Sequence, residues 1–190
     1  MVHCMFEQSG TFKKQFEVLG FHAEDYDILN DFGQTDHIID LFVEIDKAYK
    51  DEPSVFDSVK KEDLIFAFFP CTYFNEMQMS YYDISTNNNA FKPYYERVQD
   101  AIERLQQRTL FHLTLYKLVY IVCKRGLRLI IENPATTPSY LIGTRNFPKP
   151  TIIDRDRSRR GDNFKKPTAY WFFGCEPTYG QSYQPPRGGG

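Results

Sequence analysis

Paired cysteines, long apolar runs and an excess of charge of one sign are all missing from this sequence, and each absence removes a class of protein. The four cysteines, Cys4, Cys71, Cys123 and Cys175, are widely spaced, with no CxxC pair. Neither a metal site nor a disulfide framework is expected, and reduced thiols in a cytoplasmic protein fit best. The apolar stretch LFHLTLYKLVYIVCKRGLRLII is interrupted by His112, Lys117, Lys124, Arg125 and Arg128, and the N-terminus shows no basic segment ahead of an apolar run. A membrane span and an export signal are therefore not expected. A formal net charge of −2 argues against general polyanion binding by the whole surface. No internal repeat is evident.

What is present is core material. Of 190 residues, 42% are hydrophobic and 16% aromatic, which suits one well-buried domain over residues 1–177 and excludes a mostly disordered chain. From Thr178 onward TYGQSYQPPRGGG loses aliphatic residues and reads as a flexible tail. Charge is uneven: residues 145–166 hold eight Lys or Arg against three Asp, a local +5 on an otherwise acidic chain.

The pattern alternates strand and helix. Val2–Phe6 is a short apolar run, followed by FKKQFEVLG with Phe12, Phe16 and Leu19 at helical spacing and Gly20 as its terminator. FHAEDYDI reads as a second strand, and TDHIIDLFVEIDKAYKDE as a helix capped by Thr35 with Ile38, Leu41, Phe42 and Ile45 on one stripe. Residues 64–69 form the most apolar run, as expected of a central strand in a parallel sheet. After an Asn-rich loop at 83–90, residues 93–125 read as a long helix with a break near Thr109, and LRLIIENP as a further buried strand. Such alternation predicts an α/β fold with a doubly wound, mostly parallel, Rossmann-like sheet, whose ligands sit at the carboxyl ends of the strands.

Three turns follow apolar strands and would gather along that edge: Glu7–Thr11, Pro70–Asn75 and Glu132–Pro134. A Gly at a strand-to-helix turn lets a ligand approach the backbone and the free N–H groups of the helix start. Asp27, with Asp25 as its rival, stands where doubly wound folds place an acid for a ribose, although a surface or capping acid is as common there. A cysteine after a buried strand is either an inert core thiol or a thiolate at a cleft, and base rates favour the first. Glu132 shifts the balance, because a carboxyl between Ile131 and Pro134 is costly without a task or partner.

Together, SGTF near the N-terminus, FPCT after one apolar strand, IIENP after another and RRGDNFKKPT near the end resemble, in that order, the catalytic core of DNA cytosine-5 methyltransferases over roughly residues 2–174. The resemblance implies an S-adenosylmethionine-dependent enzyme in a minimal form like those of mobile elements. Cys71 would add to carbon 6 of cytosine, Glu132 would protonate ring nitrogen 3, and Arg159, borne on a strand, would contact the base. Phe6, Ser9, Gly10, Thr11, Asp27 and Pro70 would line the cofactor site. Asn133, Pro134, Arg157, Lys165 and Lys166 would serve the DNA, supplied as a flipped or single-stranded cytosine. Gln8 stands where the family has a glycine, and no separate target-recognition domain is expected, so a protein partner or an oligomer would supply recognition. A nucleotide or RNA substrate, or a non-catalytic nucleic-acid- or cofactor-binding relative, are the competing readings.

Overall fold

A computed structural model describes residues 1–75, 80–85, 91–136, 139–143, 145–160 and 165–177. The expected tail at 178–190, residues 86–90 of the Asn-rich loop and residues 161–164 of the basic segment lie outside the described residues.

The strands are β1 (Val2–Met5), β2 (Ala23–Asp27), β3 (His37–Ile38), β4 (Leu64–Ala67), β5 (Arg128–Pro134), β6 (Ile152–Asp154) and β7 (Thr168–Phe173). They form one sheet in the order β3-β2-β1-β4-β5-β7-β6. Neighbours from β3 to β5 are parallel, and β6 runs antiparallel to β7. The helices are α1 (Thr11–Val18), α2 (Leu41–Tyr49), α3 (Tyr94–Arg125) and the short α4 (Tyr140–Gly143). This is an α/β protein with a mostly parallel mixed sheet, compatible with a Rossmann-like fold. None of the described helices is long and apolar enough to cross a membrane.

The described residues pack as two compact units, one of residues 1–69, 113–132 and 171–177, the other of 70–112 and 133–170. In the first, the chain leaves β1 through α1 to β2 on one side, then returns through α2 to β4 on the other side of β1. Right-handed crossovers in opposite directions put α1 and α2 on opposite faces. Val2, Cys4 and Ala23 accordingly pack against Phe12 and Phe16 of α1. Tyr49 of α2 meets Tyr120 of α3 edge-on at 5.3 Å. Gly174 has a φ of +67°, and a Cβ there would lie 2.2 Å from the Leu127 carbonyl oxygen, so only glycine fits.

Two expected elements differ. The second helix begins at Leu41, not Thr35: Asp40 caps it by accepting from the Phe42 and Val43 N–H groups, whereas Thr35 donates its hydroxyl to the Leu29 carbonyl. His37–Ile38 are instead held in the sheet by β2, and Ile38 is exposed. Pairing to β2 as an edge strand outweighed the helical spacing of Ile38 with Leu41. The long helix also does not break at Thr109, whose hydroxyl donates back to the Leu105 carbonyl at 2.8 Å and so leaves the helix intact.

In the second unit Phe74 is fully buried, stacked on Tyr140 at 5.7 Å and met edge-on by Phe111 and His112 of α3. The Tyr140 N–H donates to the Phe74 carbonyl, and His112 Nε2 donates to the Asn146 carbonyl. Burial pushes the His112 pKa down.

Candidate functional site

The winding reverses between β1 and β4, which is where a doubly wound sheet opens a crevice at its carboxyl edge. Met5 pairs with Ala67 and with Tyr26, and Ala67 pairs with Ile131. Phe6, Asp27 and Glu132 therefore each stand one step past the last of these pairs, at the same end of adjacent parallel strands. The expectation that these strand ends share an edge rested on parallel pairing, and the pairing is parallel.

The β1–α1 turn is built tightly. Phe6 adopts a positive φ of 60°, unusual for a side-chain-bearing residue and most often retained at functional turns. Its N–H donates to the Tyr26 carbonyl, and its ring meets Phe69 at 5.1 Å and Phe42 at 6.1 Å, both edge-on. Glu7 is buried, with Oε1 accepting from the Ser9 N–H and the Ser9 hydroxyl. Its Oε2 is buried with no hydrogen-bond partner among the described residues. The Ser9 and Thr11 hydroxyls share a further hydrogen bond at 2.8 Å, with the Thr11 proton free to serve it. Gly10 caps α1 with a φ of +63°, and the Gln34 carboxamide, which donates to the Ser9 carbonyl, lies 3.2 Å from where a Cβ would sit.

Burial separates Asp25 from Asp27. Asp25 is fully buried, bonded to Lys13 Nζ at 3.0 Å and accepting from the Asp36 N–H at 2.7 Å. Burial opposes the Lys13 charge, but Asp36 and Asp25 outweigh it and raise the lysine pKa. Asp25 is thus a structural anion. Asp27 is half-buried at the end of β2, and one of its oxygens accepts from the Leu29 N–H, leaving the other without a hydrogen bond among the described residues. Glu132 is half-buried on β5.

In the second unit Cys71 is half-buried and follows Pro70 and β4. Its carbonyl accepts from the Phe74 and Asn75 N–H groups, which fixes a turn, while its thiol makes no hydrogen bond among the described residues. The other cysteines have different surroundings. Burial, with Glu7 and Asp25 nearby, pushes Cys4 up to about 12; burial also raises Cys175, and Cys123 sits exposed on α3. Asn133 is buried and Pro134 half-buried on β5. Arg157 and Arg159 lie on a single 3-10 turn, Arg157–Arg160, after β6. The expected arginine-bearing strand is therefore a turn: Asp156 accepts from the Ser158 hydroxyl and pairs with Arg159 at 3.5 Å, an arrangement of neighbouring residues that strand geometry does not allow. Arg159 is 84% exposed, and Lys165 and Lys166, just before β7, are exposed.

Three features went unnoticed in the sequence: the Lys13 ion pairs, the buried Glu7 carboxylate, and a polar cavity bordered by Tyr73, Tyr81 and Arg104. The first had a signal in Lys13 falling between Phe12 and Phe16 near the apolar face of α1, the second in an acid beside the glycine turn. The third joins distant segments and had none. No family model matches the chain, and no curated protein is similar to it.

Proposed function

We propose that the protein transfers a methyl group from S-adenosylmethionine to carbon 5 of cytosine in DNA, with Cys71 as nucleophile and Glu132 as acid. The observation that carries this reading is the parallel register of β4 and β5. Ala67 pairs with Ile131, Glu132 is the next residue of β5, and Pro70 and Cys71 come three and four residues after the end of β4. Each motif thus follows one of two adjacent parallel strands, which supports the reading.

The residues of the β1 end fit the cofactor. A dinucleotide would bring a pyrophosphate to the start of α1. Here the turn instead carries Glu7, a buried carboxylate with an oxygen lacking a hydrogen-bond partner, which repels phosphate and suits the positive charge of a sulfonium and an α-ammonium. Phe6, Ser9, Gly10 and Thr11 would hold the methionine portion, Asp27 the ribose, and Pro70 the loop beside it. The cofactor supplies an electrophilic methyl whose leaving group is a neutral thioether.

The Cys71 thiolate forms a bond to carbon 6 of the cytosine, and the Glu132 carboxyl gives a proton to nitrogen 3 as electrons move into the ring. Carbon 5 is thereby made nucleophilic and takes the methyl. Loss of the carbon 5 proton to water then breaks the carbon–sulfur bond and returns the thiolate to Cys71, and the nitrogen 3 proton goes back to the Glu132 carboxylate, which restores the neutral aromatic ring. Arg159 and Arg157 face the base in this scheme, with Asn133 and Pro134 shaping the Glu132 loop and Lys165 and Lys166 meeting phosphates. The base must be flipped or single-stranded, since carbon 6 is inaccessible in a stacked duplex.

Incubation with DNA and methyl-labelled cofactor tests the reading. Label should appear in cytosine, and Cys71→Ser should abolish it. DNA carrying 5-fluorocytosine should trap a covalent complex, because the proton that must leave carbon 5 is replaced. Cofactor binding with no transfer to any DNA, or transfer undiminished in Cys71→Ser, overturns it.

A further inference from the structure

A cavity of about 710 Å3 opens in the second unit, between the turn that follows Cys71 and the first half of α3. Thr72 and Tyr73 come from that turn, Tyr81 from the 3-10 turn Ser80–Tyr82, and Arg104, Gln106 and Gln107 from α3. We propose that this cavity is a subsite for one unstacked nucleobase of a DNA strand, the base next to the cytosine held at Cys71. The proposal rests on the methyltransferase reading for the word "next", but the pocket's chemistry is independent of it.

The charges that line the cavity cancel among themselves. Lys92 pairs with Asp100 at 2.7 Å, the Gln99 amide donates to Glu103 Oε1 at 3.0 Å, and the Arg104 guanidinium lies over the Tyr81 ring at 4.1 Å. A wall with two cations and two carboxylates has no net attraction for a polyphosphate or a bare metal ion. What remains unengaged is neutral and polar. The Thr72, Tyr73 and Tyr81 hydroxyls and the Gln106 and Gln107 carboxamides make no hydrogen bond among the described residues. These are donors and acceptors of the kind that read base edges, and glutamine can serve a base with both at once.

The aromatic walls are fixed in place. Phe111 meets Tyr73 edge-on at 4.8 Å, and the Arg104 guanidinium is stacked over the Tyr81 ring. A planar ligand thus meets rings already ordered, with little rotamer freedom left to lose. The volume lies in the range of small-ligand sites and exceeds what one base fills, so the sugar enters with it. Thr72 directly follows Cys71, and one residue spans at most about 3.6 Å, so the cavity wall begins within one nucleotide's reach of the nucleophile's backbone. Enzymes that act on an extruded base commonly draw sequence context from pockets for its neighbours.

The test uses the intact chain and fluorescent single-stranded oligonucleotides with one cytosine, measured by anisotropy without cofactor. Tyr81→Ala should weaken binding roughly tenfold, as loss of one base stack does. Gln107→Ala, at an exposed helix position where folding is not at risk, should change the preference among A, G, C and T beside the cytosine. An abasic site at that neighbour should weaken wild type but leave Tyr81→Ala unchanged. A 5-iodouracil at the same position should photocrosslink to Tyr73 or Tyr81. Unchanged binding in both variants, or crosslinks confined to other residues, overturns the subsite while leaving methyl transfer by Cys71 standing. Crosslinking at Tyr81 by a protein that transfers no methyl supports the pocket and overturns the catalytic reading.

Discussion

Lys13 Nζ lies 3.0 Å from Asp25 Oδ2, and both side chains are withdrawn from solvent, 10% and 0% exposed. The pair separates two acids that lie two residues apart in sequence: Asp25 is committed to the interior of the first unit, and Asp27 is left at the strand end. Asp25→Ala should destabilise the protein by about 1–3 kcal/mol, because the buried ammonium keeps Asp36 but loses one of its two carboxylates and the Asp36 N–H loses its acceptor. Urea unfolding followed by circular dichroism measures this.

Asp27→Asn should behave in the opposite way. Its side chain anchors only the Leu29 N–H, so stability should change by no more than about 0.5 kcal/mol. If the proposed methyltransferase reading holds, affinity for S-adenosylmethionine should fall roughly tenfold by calorimetry, as expected when a hydrogen bond to a charged acceptor is lost. Equal loss of stability in the two variants would contradict the division of roles.

Gly174→Ala and Gly126→Ala separate sterics from backbone strain. Both glycines have positive φ, +67° and +64°, but a Cβ at Gly174 would meet the Leu127 carbonyl oxygen at 2.2 Å, while nothing lies within 4 Å at Gly126. Gly126→Ala should cost about 1 kcal/mol and Gly174→Ala at least about 3 kcal/mol, the clash adding to the strain. Thermal unfolding of the two variants should show clearly different midpoints.

Acid should weaken the first unit in two steps. His3 is fully buried between Tyr26 and Asp63, and burial lowers its pKa below 6.5 in spite of Asp63. The unfolded chain therefore binds a proton first, and stability falls as pH drops below about 6.5. Burial alone would raise the Asp63 pKa, but the Met1 ammonium, the Lys60 N–H and His3 hold it at about 2. Its contribution is present above the ordinary carboxylate range and is lost between about pH 4 and pH 2. Urea midpoints across pH should show the upper step vanish in His3→Gln and the lower step shrink in Asp63→Asn.

Much of the fold was legible because local pattern and tertiary demand agree. The apolar run before Pro70 is a central parallel strand, and the spacing of Phe12 and Phe16 buries one face of α1. Agreement failed where a distant partner decided the outcome. Residues 35–38 have helical spacing, yet β2 recruits His37 and Ile38 as an edge strand. Thr109 looks like a breaker, yet its hydroxyl is satisfied by the preceding turn.

The candidate site divides along the same line. By itself the sequence determined the parallel strands and the residues at their ends, since apolar runs set the strands and the chemistry-bearing side chains follow them directly. Only the tertiary structure decided which acid stays at the strand end, that a buried glutamate lies under the glycine turn, and that Tyr73, Tyr81 and Gln107 line one cavity. The reason is physical: strand character is a local property of the chain, whereas burial, ion pairing and concavity arise only when segments far apart in sequence meet.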